Sequence, residues 1–232
     1  MLTVHHLENS RSQRILWLLE ELGVTYELVV YPRDPATMLA PPALRAIHPL
    51  GKSPVITDGA LTIAESGAIV EYLIETYAPA WGTEPADTMA SLPPPGSAER
   101  LAYRYWLHYA EGTLMPLLVM TLLFSAIPRQ RMPFFVKPIA RALCGKVQET
   151  FLDPRLLENL DLLEASLADR PWLAGPHLTG ADAQMSFAVL ALLGRCPPGR
   201  DVPRLRAYLA RIEARPAYRR ALERGGPLNL IG

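Results

Sequence analysis

The residues with the clearest potential for binding chemistry lie at two breaks in the first third of the chain. Glu65-Ser66 precedes a helical pattern, and free N–H groups with a hydroxyl at a helix start can bind a carboxylate. The Glu65 carboxylate could contact an ammonium group, and Lys52, in the loop "GKSPV", could pair with a carboxylate. The alternatives are a helix-capping pair, which Glu65-Ser66 alone would favour, and a solvated lysine.

Pro54 stands immediately before the apolar run Val55-Ile56-Thr57, which is typical of a buried strand. Proline has no N–H for the strand ladder, so it is unusual at this position. A cis X-Pro bond costs only about 0.5–1 kcal/mol over trans, so a sharp reversal before a strand is cheapest at proline. The alternative is a trans proline on an edge strand.

Two other polar patterns resemble catalytic groups but favour structural roles. His5 and His6 alternate across a predicted strand, where such residues more often support the fold. Thr179 and Asp182 form a Thr-x-x-Asp capping pattern ahead of an apolar helix. We assign no catalytic role to Thr179 and Asp182, and a direct role for His5 or His6 is the less favoured alternative.

Composition limits the classes of function. The 232 residues carry no formal net charge, which gives no electrostatic case for nucleic acid or an anionic membrane and leaves small zwitterionic partners open. Cys144 and Cys196 are too few and too far apart for a disulfide framework or a zinc site, so a cytoplasmic location is expected. The N-terminus lacks a signal pattern, and the longest apolar block, "LMPLLVMTLLF", is about half of the ~20 residues that span a bilayer.

Residues 1–80 alternate short strands with helices. "LTVHH" and "YELVVY" have strand periodicity and place Tyr26, Leu28 and Val30 on one face, while "SQRILWLLEELG" between them has helical periodicity and ends at Gly23. We expect a second helix near "PALRAI", a hairpin in "VITDGALTI" turning at Asp58-Gly59, and a helix from Glu65 to Tyr77. The buried face of that last helix is predicted from the four residues Ile69, Tyr72, Leu73 and Thr76. The predicted order is βαβ, α, ββα.

The remainder of the chain predicts helices only. Residues 81–96, rich in proline and small residues, indicate a linker. Beyond it we expect a long helix bent near Gly112 and Pro116, a helix from Ala140 onward, and a helix opened by an Asp153-Pro154 cap. "LTGADAQMSFAVLALLG" and "VPRLRAYLARIEARPAYRRALE" each predict one further helix.

Several motifs together resemble the cytosolic glutathione S-transferase family, of bacterial type. "HHLENSRSQRILWLLEELG", "HPLGKSPV", "AESGAIVEYL", "WLAGPHLTGADAQMSF" and "RPAYRRAL" carry the resemblance, which covers nearly the whole chain. It implies an N-terminal thioredoxin-like βαβ-α-ββα domain (1–80), a linker (81–96) and an all-helical C-terminal domain (97–232). The family proline is cis, and Pro54 is the matching position.

The resemblance also implies the ligand. Glutathione would pair its cysteinyl backbone with Val55 in antiparallel fashion and place its γ-glutamyl end at Glu65 and Ser66. The expected glutathione-binding residues are Lys52, Ser53, Pro54, Val55, Glu65 and Ser66.

The chemistry of this family needs a thiolate, and donors at the start of the first helix would lower the thiol pKa from its free value of about 8.5. Asn9 falls where the family has serine or cysteine, and Ser10 follows it directly. This departure leaves two candidate catalytic donors, Ser10 and Asn9, with the helix N–H groups as the third possibility.

We therefore expect an enzyme that adds the glutathione thiolate to a hydrophobic electrophile. The alternatives are peroxide or disulfide reduction by the same thiolate, and a non-catalytic glutathione-binding or interaction module. Tyr105, His108, Tyr109 and Met115 are the expected electrophile-pocket residues, although such a stripe is more often core. We expect a homodimer, with glutathione as co-substrate and no metal, nucleic acid or membrane partner.

Overall fold

The structure is a computed structural model, and it describes residues 1–79, 88–89, 92–197 and 199–229. Its N-terminal part follows the predicted order βαβ, α, ββα, which is therefore confirmed. The elements are β1 (Leu2–Leu7), α1 (Gln13–Leu22), β2 (Glu27–Tyr31), α2 (Ala43–Ile47), β3 (Val55–Asp58), β4 (Leu61–Ala64) and α3 (Ser66–Tyr77). Most of the linker predicted for 81–96 lies outside the described residues, and the predicted domain limits stay predictions.

The four strands form one mixed sheet in the order β2-β1-β3-β4. β1 pairs in parallel with β2, while β3 runs antiparallel to both β1 and β4. β1 is buried almost throughout, whereas β2, at the sheet edge, is mostly exposed, and Val30 is 49% exposed. The predicted strand face of Tyr26, Leu28 and Val30 is therefore buried only at its first residue, because an edge strand has a neighbour on one side only.

Local signals place the helix end and the hairpin of this part. Gly23 ends α1 in a left-handed conformation (φ 64°), as predicted. In the hairpin, Asp58 still pairs with Leu61, so the two turn residues are Gly59 and Ala60 and not Asp58-Gly59. Gly59 takes the positive φ of 57° that this two-residue turn needs.

The buried face of α3 differs from the prediction. Thr76 is exposed and Tyr72 only half-buried, while Val70 and Ile74 join Ile69 and Leu73 in the core. The physical reason is that α3 packs against two helices, one from each half of the chain, so its buried stripe is wider than one neighbour would require.

The C-terminal part is helical apart from an isolated bridge between Trp172 and Gly175 in the described residues. Its elements are α4 (Ala98–Tyr109), a π-helical turn (Ala110–Leu114), α5 (Met115–Ala126), a 3-10 turn (Ile127–Arg129), α6 (Val136–Val147), a second π-helical turn (Gln148–Leu152), α7 (Asp153–Ser166), α8 (Gly180–Leu193), α9 (Pro203–Glu213) and α10 (Pro216–Gly225). Two predictions need correction. α6 begins at Val136 and not at Ala140. The segment predicted as one final helix forms two, α9 and α10, and the second begins at Pro216.

Both π-helical turns precede a proline inside a continuous helical stretch. Pro116 follows the first turn and Pro154 follows the second. Proline lacks an N–H and clashes with the carbonyl four residues before it, and a π-helical turn relieves that conflict without ending the helix. The predicted cap at Asp153 is therefore wrong. Leu152 and Asp153 both have helical dihedrals, so Asp153 lies inside a continuous helical stretch.

The stretch Ala98–Arg129 is 32 residues long and apolar enough, by length and composition, to cross a membrane. A core helix of a soluble protein passes the same test. Tyr103, Trp106, Leu107 and Leu114 of this stretch belong to the main buried core.

The two parts of the chain share that core. α8 is buried on nearly every side and contacts α1, α3 and α4, while α10 packs along α1. Gly180 and Gly225 stand where these helices approach closely: a Cβ on Gly180 would lie 2.7 Å from Val70 Cγ1, and one on Gly225 would lie 2.4 Å from Leu16 Cδ1. The first helix is thereby held from both sides, which fixes the position of the loop that precedes it.

Candidate functional site

A cleft opens where the loop before β3, the start of α3 and the first π-helical turn of the long helix meet. It encloses about 530 Å³, including space open to solvent. It is lined by Arg11, His48, Leu50, Lys52, Ser53, Pro54, Ala64, Glu65, Ser66 and Glu111. Five of the six predicted glutathione-binding residues therefore lie together, and the sixth, Val55, is adjacent in the chain but does not line the cleft.

The Ser53–Pro54 segment forms one wall of the cleft. Its peptide bond is cis, in agreement with the expectation for Pro54. The Ser53 hydroxyl donates to His5 O at 2.8 Å and accepts from Leu7 N–H at 3.1 Å, so it ties the loop to β1. Val55 is 1% exposed and lies in register with His5 on one side and with Ala64 on β4 on the other. The predicted pairing of its backbone with a peptide stays a prediction.

Glu65 and Ser66 form the opposite wall. Glu65 has a left-handed backbone (φ 70°), which is unfavourable for a residue with a Cβ and is often found at functional sites. No described side chain caps the start of α3. The Ser66 hydroxyl accepts from Gln184 Nε2 at 3.0 Å, so its own proton remains available for a group in the cleft. The C-terminal helix α8 thus orients a residue of the N-terminal part.

Two charges in the cleft are uncompensated. Within the described residues, neither the Lys52 ammonium nor the Glu65 carboxylate takes part in an ion pair, and both side chains are exposed. The cleft therefore offers one cation, one anion and an uncapped helix start that favours a second ligand carboxylate.

A third group of charges joins the two parts of the chain at the cleft. Glu111 accepts from Arg11 Nη1 and from Arg14 Nη2, each at 2.6 Å. Arg14, whose side chain is fully buried, also donates to Gln184 O at 2.7 Å and to Arg11 O at 3.0 Å. Burial acts to raise the pKa of Glu111, but the charges of Arg14 and Arg11 outweigh it and hold that pKa below its ordinary value.

Sequence reasoning missed Arg11, Glu111 and Gln184. Glu111 lies about a hundred residues from its two arginine partners. No local spacing signals such a contact, because it depends on how the long helix crosses α1. The only hint was Glu111 beside Gly112 at the predicted bend, just before the apolar run "LMPLLVMTLLF".

The loop before α1 holds a buried hydrogen-bond chain from His6 to Ser10. His6 Nε2 lies 2.8 Å from Gly225 O, which can only accept, so Nε2 carries the proton. Burial lowers the pKa of His6, which favours its neutral form, so Nδ1 is an acceptor. Ser12 Oγ uses its proton on His6 Nδ1 (2.7 Å) or Leu7 O (3.3 Å), so Ser10 must donate to Ser12 Oγ across 2.8 Å.

These hydrogen bonds from His6 to Ser10 change the expectation for the thiolate donor. The Ser10 hydroxyl is 6% exposed, its proton is used by Ser12, and it does not line the cleft. Asn9 does not line it either, because its carboxamide makes two hydrogen bonds with the Asn229 backbone, at 3.1 and 2.9 Å. Arg11 is the residue of this loop that reaches the cleft. Ser10 and Asn9 stay candidates by position, but the geometry favours Arg11.

None of the four expected electrophile-pocket residues lines this cleft. Tyr109 and Met115 are 7% and 6% exposed and belong to the core, where the Tyr109 hydroxyl bonds Asn159. Their pocket role stays a prediction. Tyr105 and His108 are exposed on the same helix, and their role stays a prediction.

The residues read as structural have structural partners. The Asp182 carboxylate is fully buried and accepts from the N–H groups of Leu173 and Thr179, the Thr179 hydroxyl and the Tyr208 hydroxyl, at 2.9 to 3.1 Å. Burial raises the pKa of Asp182 to about 6, although these bonds act to lower it. His5 contacts Tyr31, its Nδ1 lying 3.0 Å from the hydroxyl. In the described residues no three His, Cys, Asp or Glu side chains are grouped to hold a metal.

Two family models match the chain. Residues 10–76 match the glutathione S-transferase N-terminal domain, and residues 114–216 match the glutathione S-transferase C-terminal domain. Glutathione S-transferase 3 of Schizosaccharomyces pombe is 34% identical, over 97% of this chain and 88% of that protein. Glutathione S-transferase 1 of Saccharomyces cerevisiae is 30% identical, over 98% of this chain and 97% of that protein.

Solved structures agree with these matches. A glutathione S-transferase from Actinobacillus pleuropneumoniae has a TM-score of 0.71 and 34% identity, over 99% of this chain and 95% of that one. A theta class glutathione S-transferase from Xanthomonas axonopodis, solved with glutathione bound, has a TM-score of 0.66 and 28% identity, over 98% of this chain and 99% of that one.

Proposed function

The chain belongs to the glutathione S-transferase family, and from that premise we propose that its cleft binds glutathione and activates the thiol for attack on hydrophobic electrophiles. The observation that carries the proposal is the pair of uncompensated charges, Lys52 and Glu65, beside the uncapped start of α3. Glutathione carries two carboxylates and one ammonium, and the cleft offers a counterpart to each.

In this binding mode, the Glu65 carboxylate contacts the ammonium of the γ-glutamyl end. The carboxylate of that same end lies at the start of α3, where the Ser66 hydroxyl and the backbone N–H groups donate to it. Lys52 pairs with the carboxylate at the glycyl end. Gln184 is a positioning residue, because its bond to Ser66 Oγ leaves the serine proton pointing to the ligand.

Between these two ends, the cysteinyl unit lies along the cleft wall formed by Ser53 and Pro54, because Val55 beside them is already in register with a strand on each side. The loop with Ser53 and Pro54 is held to β1 by the Ser53 hydroxyl, so the segment before β3 has a defined position. Antiparallel backbone pairing there would orient the thiol toward the start of α1.

The Arg11 guanidinium is our proposed stabiliser of the thiolate. A free thiol has a pKa of about 8.5, and a nearby cation lowers it because the anion is favoured. Within the described residues Arg11 uses Nη1 for Glu111, which leaves its other N–H donors for the sulfur. The thiolate attacks an electrophilic carbon, a C–S bond forms, the leaving group departs with its electron pair, and the thiol proton goes to solvent.

A non-catalytic glutathione-binding module is the second candidate, and one observation favours it. Neither Ser10 nor Asn9, the two predicted donors, lines the cleft. If Arg11 does not activate the thiol, binding without turnover is the expected behaviour.

Binding and turnover measured on the same variants test this proposal. Lys52→Ala and Glu65→Gln should each raise the Kd for glutathione about tenfold or more, because a hydrogen bond to a charged group contributes about 1.5–3 kcal/mol. Lys146→Ala and Glu149→Gln, exposed residues outside the cleft, are matched controls and should leave Kd unchanged.

Turnover is then assayed with a chlorinated nitroaromatic compound, a hydroperoxide and a glutathione mixed disulfide. Conjugation of the aromatic compound supports transferase activity. Turnover of only the hydroperoxide or the mixed disulfide would mean that the protein is a glutathione-dependent reductase instead. An unchanged Kd in both cleft variants would refute the binding mode. Normal binding without turnover of any substrate would identify the module.

A further inference from the structure

The far end of the helical hairpin formed by α5 and α6 carries an apolar surface that the cleft does not use. We define the hairpin tip as residues 127–147, which comprise the 3-10 turn, the loop after it and α6. Phe134 is 88% exposed and Phe135 is 64% exposed. Since a phenylalanine side chain presents roughly 200 Å² of surface, these two rings alone leave about 300 Å² uncovered.

The apolar surface continues along α6. Phe135, Ile139 and Leu143 are four residues apart, which places them on one helix face, and the last two are 58% and 65% exposed. The rings of Phe134 and Phe135 are in contact, with centroids 5.6 Å apart. An exposed apolar group of a few hundred Å² is the size of the largest patch on an ordinary monomer, and such patches are often functional.

The hairpin tip and the residues just before it differ in charge from the rest of the chain. Residues 112–148 contain no Asp or Glu and five basic residues. They are Arg129, Arg131, Lys137, Arg141 and Lys146. The remainder of the chain has 18 basic and 23 acidic residues, so the zero net charge conceals a local excess of five positive charges. Lys146 pairs with Glu149 at 3.5 Å, and in the described part of the chain the other four form no ion pair.

We propose that the hairpin tip docks on the surface of an anionic phospholipid bilayer. Phe134 and Phe135 insert among the headgroups, and Arg129 and Arg131, which precede them in the turn and loop, contact lipid phosphates, which is the combination that interfacial segments use. This local charge overrides the expectation from the whole-chain charge that no membrane is involved. The inference rests on the surface alone and does not depend on glutathione chemistry.

A second copy of the chain is a poorer fit to this surface. A two-fold contact through the tip would set one group of five cations against its own copy, and like charges repel. The long stems of arginine and lysine can instead lie along lipid while their charged ends remain in water. Charge complementarity therefore selects the anionic bilayer.

Cosedimentation of the full chain with vesicles tests the proposal. Binding is expected to vesicles of phosphatidylcholine with phosphatidylglycerol, with much weaker binding to pure phosphatidylcholine. It should fall more than tenfold when salt is raised from 0.05 to about 0.5 M, because exposed charges are then screened. Thermal unfolding of each variant checks that it is folded.

Two double variants separate the apolar and the charged contributions. Phe134→Ser with Phe135→Ser should abolish binding. Arg129→Ser with Arg131→Ser should weaken it roughly twenty-five-fold, since each basic residue near an anionic surface contributes about fivefold.

Matched controls change exposed residues elsewhere. They are Leu101→Ser, which removes a side chain that is 72% exposed, and the pair Arg104→Ser with Arg206→Ser. All of these should bind vesicles like the unchanged chain.

Three results would overturn the inference. The first is no binding to anionic vesicles at low salt. The second is binding that the phenylalanine variant retains in full. The third is a change from dimer to monomer in light scattering of the phenylalanine variant, together with no vesicle binding by the unchanged chain. That result would identify the tip as a contact between copies of the chain.

Discussion

Removing the Glu111 charge tests whether the ion pair at the cleft joins the two parts of the chain. Glu111→Gln leaves the fully buried Arg14 guanidinium without its carboxylate, while its bonds to Gln184 O and Arg11 O remain. Breaking a buried pair by removing one partner costs about 3–5 kcal/mol, and a single bond to a charged group contributes about 1.5–3 kcal/mol. Because Glu111 is 29% exposed and Arg14 keeps two acceptors, we expect a loss of about 2–4 kcal/mol.

The assay is unfolding by denaturant, followed by tryptophan fluorescence. Asp161→Asn is the matched control, because its pair with Arg200 is exposed on both sides and should contribute about 1 kcal/mol or less. In a double-mutant cycle, Arg14→Met combined with Glu111→Met should cost less than the sum of the two single changes. A loss at Glu111 no greater than the loss at Asp161 would refute the reasoning.

The same pair predicts a pH dependence. The pKa of Glu111 is lowered in the folded chain from an ordinary value of 4.5. A carboxyl with a depressed folded pKa contributes stability that is fully present above the unfolded value and is lost as pH falls through the folded value. The stability difference between the unchanged chain and Glu111→Gln should therefore be constant near neutrality and shrink below about pH 4.5.

Three further substitutions have distinct expected outcomes. Asp182→Ala should cost about 2–4 kcal/mol in denaturant unfolding, because four buried donors lose their acceptor, while the Kd for glutathione stays unchanged; a large change in Kd at full stability would contradict this. Gly225→Ala should lower the unfolding free energy by about 1–3 kcal/mol, because its Cβ would lie 2.4 Å from both Gln13 Oε1 and Leu16 Cδ1, and an unaltered Tm would show that α10 can move away. Ser10→Ala should leave the rate of conjugation at neutral pH within about twofold, because the Ser10 proton is used by Ser12, whereas a tenfold loss would restore Ser10 as the donor.

Features that depend on neighbouring residues were predictable from the sequence. Gly23 ends α1 because glycine accepts a left-handed conformation, and Thr179 with Asp182 forms a capping box that needs only three residues of spacing. The position of Pro54 before an apolar run predicted the sharp reversal that forms one wall of the cleft. Asp153 shows the limit of such reasoning. The sequence predicts that a helix begins with a cap at Asp153, but a π-helical turn before Pro154 lets the preceding helix continue through this point.

Features that depend on tertiary packing were not predictable. Whether Ser10 faces the cleft is decided by Ser12, His6 and the Gly225 carbonyl, which comes from the last helix. The charge network at Glu111 likewise needs the crossing of helices that lie far apart in sequence. A single sequence specifies the types of these residues but carries no local signal of their contacts.

Titration of the thiol of bound glutathione, by the absorbance of its thiolate, tests the central claim most directly. The account predicts that the bound thiol titrates below the free value of about 8.5, and that Arg11→Gln raises its pKa by about one unit. Arg206→Gln, at an exposed position on α9, is the control and should not move the curve. A bound thiol that titrates at about 8.5 in the unchanged chain would contradict the claim that this cleft activates glutathione.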